Sequence, residues 1–500
     1  MSVFTLAQLC TNLTDIRLPP GAGDQRIRHV RDDSRQVEPG DLFVAVRGTA
    51  TDGAAYVHEA AARGAAAVVA EVPVDAADST VPLVLVPDAR IARAELGAAF
   101  YGHPAARLSM IGITGTVGKT TVLAMLSEIL ASARISAGTI GSLGIEYPGT
   151  AVTTRNTTPG PLAIHEALSS MAAAGVRVAA MEVTSHALVQ ERVYGLEYDL
   201  GVFTNLTMLE HLEYHRSFRA YATAKLRFLE HLKPDAPLIY SAGDRVLGQA
   251  VRRHSGPRVS CGGGRGWVGV RRDALSLRGT RVTLTVRRPL PRLDGSCLEP
   301  CTVPLRLQTL GRPNIGNATL AAAAGLSTGA SPEAVREALA RVRPPKRRLE
   351  VVRDHSPIVI DDTVGHPDSI SGVFELVESI PHHGVRVVFC VRGRRGGEIN
   401  ARDAEALAIW ARRVTLAALH VTSGRDSADE RNEVSAEETR AFLDVLRKEG
   451  MPYSHHERLE DAIAAALNGA AGRDLVLLLG AQGMDAGAGI VRRLLHGTNR

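Results

Sequence analysis

The segment IGITGTVGKTT at residues 111–121 constrains the fold more than any other stretch of this chain. An apolar, β-branched run passes through Gly115 and Gly118 and emerges into a pattern of helical period from Lys119 to Ser132. That order predicts a strand over residues 108–113, a tight loop and a helix, the unit from which parallel α/β sheets are assembled. Glycines let the loop curl without Cβ clashes, and the first N–H groups of the helix favour negative charge. Gly115, Thr116, Gly118, Lys119, Thr120 and Thr121 are therefore candidate phosphate-binding positions. Lys119 would reach the β- and γ-phosphates, and the Thr120 hydroxyl could ligate Mg²⁺. The loop is a short GxxGKTT form, because Ile113 stands where the longer pattern has its first glycine. An ordinary glycine-rich turn is the competing reading.

The alternation of short β-branched runs with Ala-rich helical patterns extends along the whole chain. Residues 41–46 (DLFVAV) and 66–70 (AAVVA) read as strands around a helix at 56–63, a first block ending near His103-Pro104. The second block contains a glycine-rich break at 255–268 (SGPRVSCGGGRGWV), then residues 280–286 (TRVTLTV), whose alternation suits a surface strand in an antiparallel excursion. The third follows the stiff Arg343-Pro344-Pro345 linker, with strands at 358–360, 385–389 and 475–479. Length agrees, since 500 residues at roughly 150 per domain make three domains, expected at 1–106, 107–343 and 344–500.

Composition excludes several classes. The 45% hydrophobic and 22% charged fractions fit neither a disordered chain nor a membrane protein. No apolar run approaches the roughly 20 residues of a spanning helix. The N-terminus lacks a basic region followed by an apolar core, so the expected location is cytoplasmic. A net charge of +5 spread over 500 residues does not call for nucleic acid. Cys297 and Cys301 have no second pair at metal-ligand spacing, and the five cysteines read as reduced, non-catalytic thiols.

Two more clusters stand out. Residues 177–183 (RVAAMEV) read as a strand ending in Glu182, and parallel sheets place ligand groups at that end of a strand. A solvated strand end explains Glu182 equally well. Residues 203–215 gather Glu210, His211, Glu213 and His215, credible Mg²⁺ or phosphate partners or simply a charged helix entry. Lys225 sits in a helical pattern at 220–229, where a single lysine is ordinarily a surface residue.

These pieces stand in order with Asp33-Ser34-Arg35, residues 39–48 (PGDLFVAVRG), Asn156-Thr157-Thr158-Pro159, 181–192 (MEVTSHALVQER), 311–317 (GRPNIGN), 348–352 (RLEVV) and Pro367-Asp368-Ser369. Together they resemble the Mur ligase family, ATP-dependent amide-bond ligases of peptidoglycan precursor synthesis, and most of all its tripeptide synthetase branch. The resemblance implies an α/β chain of three domains. A central P-loop ATPase domain with a parallel sheet is flanked by an N-terminal α/β domain for the UDP-substrate and a C-terminal Rossmann-like domain for the amino acid. It implies ATP and Mg²⁺ as cofactors, with Lys119 and Thr120 at the phosphates and Thr120, Glu182, His211 and a carbamylated Lys225 at Mg²⁺. Thr157, Thr158, Ser185 and Arg192 match positions that grip the muramoyl-peptide, Ser34 one near the uridine, and Asn314 and Arg348 nucleotide contacts. The partners so implied are small molecules, a nucleotide-sugar peptide and an amino acid or amine, with no nucleic acid or membrane. A monomer is favoured.

The C-terminal block departs from the family pattern. A strand-end Asp is needed near the nucleotide; counting from the strand picks Asp361, and counting back from Pro367 picks Asp362. Residues 392–397 (RGRRGG) exchange the family's acids for arginines, either a solvated face or an anion contact. The diaminopimelate-reading Asp-Asn-Pro-Arg is replaced by Gly424-Arg425-Asp426-Ser427, and a later family segment by residues 480–485 (GAQGMD). The expectation is that ATP chemistry is kept while the amine is neither diaminopimelate nor lysine bound in the usual manner. The other readings are a Mur-like ligase of a natural-product or polymer pathway and a non-catalytic nucleotide-binding regulator.

Overall fold

The computed structural model describes residues 4–48, 51–73, 81–207, 215, 217–343, 346–430 and 432–497. These fall into two compact units, one holding the residues up to 268 with 286–300 and 320–335, the other holding 269–285, 301–319 and 336 onward.

In the first unit, four short strands pair in parallel in the order Val30–Arg31, Leu42–Val44, Ala67–Ala70 and Leu83–Leu85. Both faces of Leu42–Val44 and Ala67–Ala70 are buried, which is why these strands read as continuous apolar runs. The predicted 56–63 helix is a 3₁₀ turn, Gly53–Tyr56, followed by Val57–Ala62. Asp52 starts the turn by accepting from the Ala54 N–H.

The central sheet of this unit is built around Ser109–Thr114. Val178–Glu182 lies parallel on one side, followed by Ala137–Gly141; on the other come Leu200–Phe203, Leu238–Ser241 and Arg258–Cys261, all parallel. Helix Lys119–Ser132 buries Val122, Leu126, Ile129 and Leu130. Every strand of this parallel set ends on the side where the glycine loop emerges, so their last residues converge there.

In the second unit, six strands run in the order Glu350–Arg353, Ile358–Asp362, Leu475–Gly480, Val385–Cys390, Leu416–Thr422 and Ser454–His456. Only the first pairs antiparallel. Each predicted strand here extends one or two residues further, to Asp362, Cys390 and Gly480, because those polar or small ends are still buried in the ladder. The alternating 280–286 segment is the strand Gly279–Val286, with Val282, Leu284 and Val286 buried. Residues 344–345 of the predicted linker lie outside the described residues.

Candidate active site

The loop between Ser109–Thr114 and Lys119–Ser132 is held from the neighbouring strand end. Gly115 has φ +139°, and a Cβ there would lie 1.9 Å from Thr204 Oγ1, so no other residue fits without moving that strand end. The Thr204 hydroxyl donates to the Val117 carbonyl at 2.6 Å. Asn205 grips the same residue twice, accepting from Val117 N–H at 3.0 Å and donating to its carbonyl at 2.9 Å. The Asn205 carbonyl also accepts from Thr116 N–H.

Two ammonium groups meet at one carbonyl. Lys119 Nζ and Lys225 Nζ each donate to Gly115 O at 2.8 Å, and Lys119 also donates to Thr116 O. Lys225 is not a surface lysine: it is 1% exposed and sits 5.0 Å from the centre of the Tyr221 ring. The Tyr221 hydroxyl donates to Thr116 Oγ1 at 2.9 Å, so helix Phe218–Leu226 is fastened to the loop. Two cations thus share one acceptor at the loop.

Next to it lies a buried carboxylate. Glu182 is 0% exposed, and among the described residues its carboxylate meets only neutral donors. Thr120 Oγ1 lies 2.9 and 3.0 Å from its two oxygens, and Ser142 N–H donates to Oε1 at 2.8 Å. The Thr157 and Ser142 hydroxyls are 2.9 Å apart. Thr158 lies one layer out, its hydroxyl donating to the Glu182 carbonyl at 2.8 Å and accepting from Thr184 N–H, while Arg192 Nη1 donates to the Thr158 carbonyl at 2.7 Å. Ser185 Oγ and His215 Nε2 are 3.0 Å apart.

Thr120, Glu182, Thr157, Thr158 and Arg192 are thus linked by hydrogen bonds through Ser142 and the Glu182 and Thr158 carbonyls, Lys119 and Lys225 meet at Gly115 O, and Ser185 pairs with His215. His211 lies outside the described residues. Ser34 stands apart, buried in the N-terminal sheet region with its hydroxyl donating to Glu59 at 2.6 Å. Ser142, Thr204, Asn205 and Tyr221 join the site without having been assigned roles from the sequence. Residues 26–101, 113–325 and 347–482 match the models described as Mur ligase family, catalytic domain; Mur ligase middle domain; and Mur ligase, glutamate ligase domain. The chain belongs to the Mur ligase family. A UDP-N-acetylmuramoyl-L-alanyl-D-glutamate--2,6-diaminopimelate ligase of Xylella fastidiosa is 33% identical over 490 residues, 95% of this chain and 92% of that protein. The ligase of the same name from Geobacter metallireducens is 34% identical over 375 residues, 73% of this chain and 70% of that one. A solved structure of a ligase so named superposes with TM-score 0.67 at 21% identity, covering 96% and 94% of the two chains. This Mur ligase is an ATP-dependent acid–amino-acid ligase.

In the ligase's second unit each candidate residue is held by a neighbouring residue. Asn314 Nδ2 donates to Leu310 O within helix Gly311–Ser327, and the exposed Arg348 donates to Thr363 O. Asp361 accepts from Arg347 Nε at 3.1 Å, while Asp362 accepts from Leu349 N–H at 2.7 Å. Burial pushes both carboxyls up to about 6, Arg347 opposing the rise at Asp361 and the Leu349 N–H at Asp362. Arg347 also donates to Gly480 O, Ala481 O and the Asp485 carboxylate. Asp426 accepts from the N–H groups of Leu459 and Glu460 at the start of helix Leu459–Asn468, and Arg425 pairs with Glu457.

Proposed function

We propose that this Mur ligase extends the D-glutamyl carboxylate of UDP-N-acetylmuramoyl-L-alanyl-D-glutamate at the expense of ATP, as a monomeric cytoplasmic enzyme acting on small molecules. No helix among the described residues is long and apolar enough to cross a membrane. The observation that carries the catalytic reading is the fully buried Glu182 carboxylate, held among the described residues by the Thr120 hydroxyl and the Ser142 N–H, at the helix start whose loop carbonyl Gly115 O takes two ammonium groups. A buried carboxylate without a cation is costly, and a hydroxyl beside a carboxylate is a hard oxygen donor set of the type Mg²⁺ takes. The residues present therefore fit Mg²⁺. Thr120 and Glu182 would hold it, and Lys225, once carbamylated, would help hold a second Mg²⁺; bound there the ions would neutralise charge on the ATP phosphates.

The chain's own groups do the rest. The loop N–H groups and Lys119 hold the β- and γ-phosphates. Thr157, Thr158, Ser185 and Arg192 form the adjoining wall and orient the muramoyl-peptide so that its carboxylate oxygen attacks the γ-phosphorus, giving an acyl phosphate and ADP. The amine then attacks the acyl carbon, loses a proton and expels inorganic phosphate, forming the amide. No side-chain nucleophile is needed, so positioning and charge stabilisation supply the rate. Carbamylation would turn Lys225 from a second cation crowding Lys119 into an anion that attracts it.

The amine is not diaminopimelate in this reading. The Gly424-Arg425-Asp426-Ser427 loop spends its carboxylate on a helix start and its guanidinium on Glu457, leaving neither to read a second amino-acid head group. Incubating the purified protein with this acceptor, ATP, Mg²⁺ and a mixture of amino acids, followed by mass spectrometry, tests it. An ATP-dependent product whose added mass is not diaminopimelate or lysine is expected. Efficient addition of diaminopimelate overturns the amine reading, and no product with any amine overturns the acceptor.

A further inference from the structure

The glycine-rich break SGPRVSCGGGRGWV has no part in the reaction above. It forms one wall of a hollow of about 620 Å³ in the first unit, lined also by Tyr240 and by the helical residues Gly248 and Arg252. The size is that of a small-molecule site. None of residues 115–121 lines it, and Leu238–Ser241 and Arg258–Cys261, the strands beneath it, are the second and third from Ser109–Thr114 in the sheet.

Its charge is one-sided. Arg252, Arg258, Arg265 and Arg288 surround the hollow against a single acid, Asp235. None of the four guanidiniums pairs with a carboxylate of a described residue; Arg258 only donates to the Arg252 carbonyl at 3.4 Å. Trp267 lies between them, its N–H donating to Ser260 Oγ and its indole to Arg288 O, with the Arg288 guanidinium 5.8 Å from the ring centre. Unpaired arginines converging on one concavity raise its potential and match phosphate oxygens in a planar, two-pronged manner.

One glycine of the lining also lacks a reason inside the fold. Gly248 lies within helix Arg245–Ala250, where glycine weakens a helix relative to alanine. A Cβ there would meet nothing within 4 Å. Packing does not demand this glycine; what it does is leave the hollow open and its backbone approachable.

We infer that this hollow is a second anion site, taking a small di- or polyphosphate, separate from the loop that handles ATP. The chain has two tryptophans, so a Trp410→Phe background leaves Trp267 as the sole indole reporter. Titration with inorganic pyrophosphate at fixed ionic strength should change its emission saturably, and should do so equally after Lys119→Ala. Arg258→Ala with Arg265→Ala should weaken the response at least about tenfold. Gly248→Leu, which suits a helix and fills the hollow, should weaken it as much while leaving the thermal melt intact. The inference is overturned by an absent or non-saturating change, by loss of the response with Lys119→Ala, or by an undiminished response in the arginine or Gly248 variants. Equal competition by citrate overturns the phosphate assignment.

Discussion

In the first unit three ionic groups gather at the glycine loop and the helix that follows it. Lys119 and Lys225 share the Gly115 carbonyl, and Glu182 faces only a hydroxyl and an amide. In the second unit most of the candidate ionic groups contact one another or backbone, Arg347 meeting Asp361, Asp485 and two carbonyls, Asp362 the Leu349 N–H and Asp426 a helix start, while the buried Asp403 has no partner on either carboxyl oxygen. Under the proposed function, the first set stands ready for a ligand and the second set holds the fold.

The comparison can be broken at either end. The largest effect is expected at Lys119. Lys119→Ala removes the one cation of the helix start that can follow the γ-phosphate, so phosphate release coupled to ligation should fall by about 10³-fold or more, with the thermal midpoint unchanged. Glu182→Gln keeps an acceptor for the Ser142 N–H but loses the negative charge. Ligation should drop by about 10²-fold and respond more weakly to Mg²⁺ titration; a variant as active as the parent would mean that the carboxylate is merely structural.

Two smaller effects probe the other kind of charge. Asp403 in helix Gly397–Ala411 is 1% exposed, neither carboxyl oxygen has a partner, and burial pushes its pKa up to about 7. The folded chain keeps this proton to about pH 7, whereas the unfolded chain releases it near the ordinary 3.8. Its contribution to stability is therefore complete below that ordinary value and is lost as pH rises towards 7. Asp403→Asn should come close to the parent at pH 4 and exceed it by at most about 4 kcal/mol at pH 8 in urea unfolding. The smallest effect is at Asp426, where Asp426→Ala should cost about 1 kcal/mol through the lost helix-start contacts. It should leave the choice of amine unchanged, and a shift in amine preference would return this residue to the binding site.

Much of this was legible in the sequence, for physical reasons that differ between residues. Lys119–Ser132 could be bounded to the residue because glycine, charge and helical period all change at its start. Glu182 was visible as a strand end but not as a buried one, since burial depends on Ser142 and Thr120 arriving from 40 and 62 residues away. Asn205 carries no local signal at all: its hold on Val117 spans 88 residues. By helical pattern alone Lys225 reads as a surface lysine, and what pointed elsewhere was the family resemblance, while the burial against Gly115 O comes from a residue 110 positions away. The choice between Asp361 and Asp362 could not be made by counting, because adjacent strand residues face opposite ways and each found its own partner in the 347–349 segment.

The central claim, that the acceptor carboxylate is activated on this loop by direct attack on ATP, has one most direct test. The D-glutamyl carboxylate of UDP-N-acetylmuramoyl-L-alanyl-D-glutamate is labelled with ¹⁸O, the ligation is run to completion with an accepted amine, and the released phosphate is weighed by mass spectrometry. An acyl phosphate transfers one labelled oxygen to each phosphate for every amide formed. Unlabelled phosphate, with the amide nonetheless made, would contradict it.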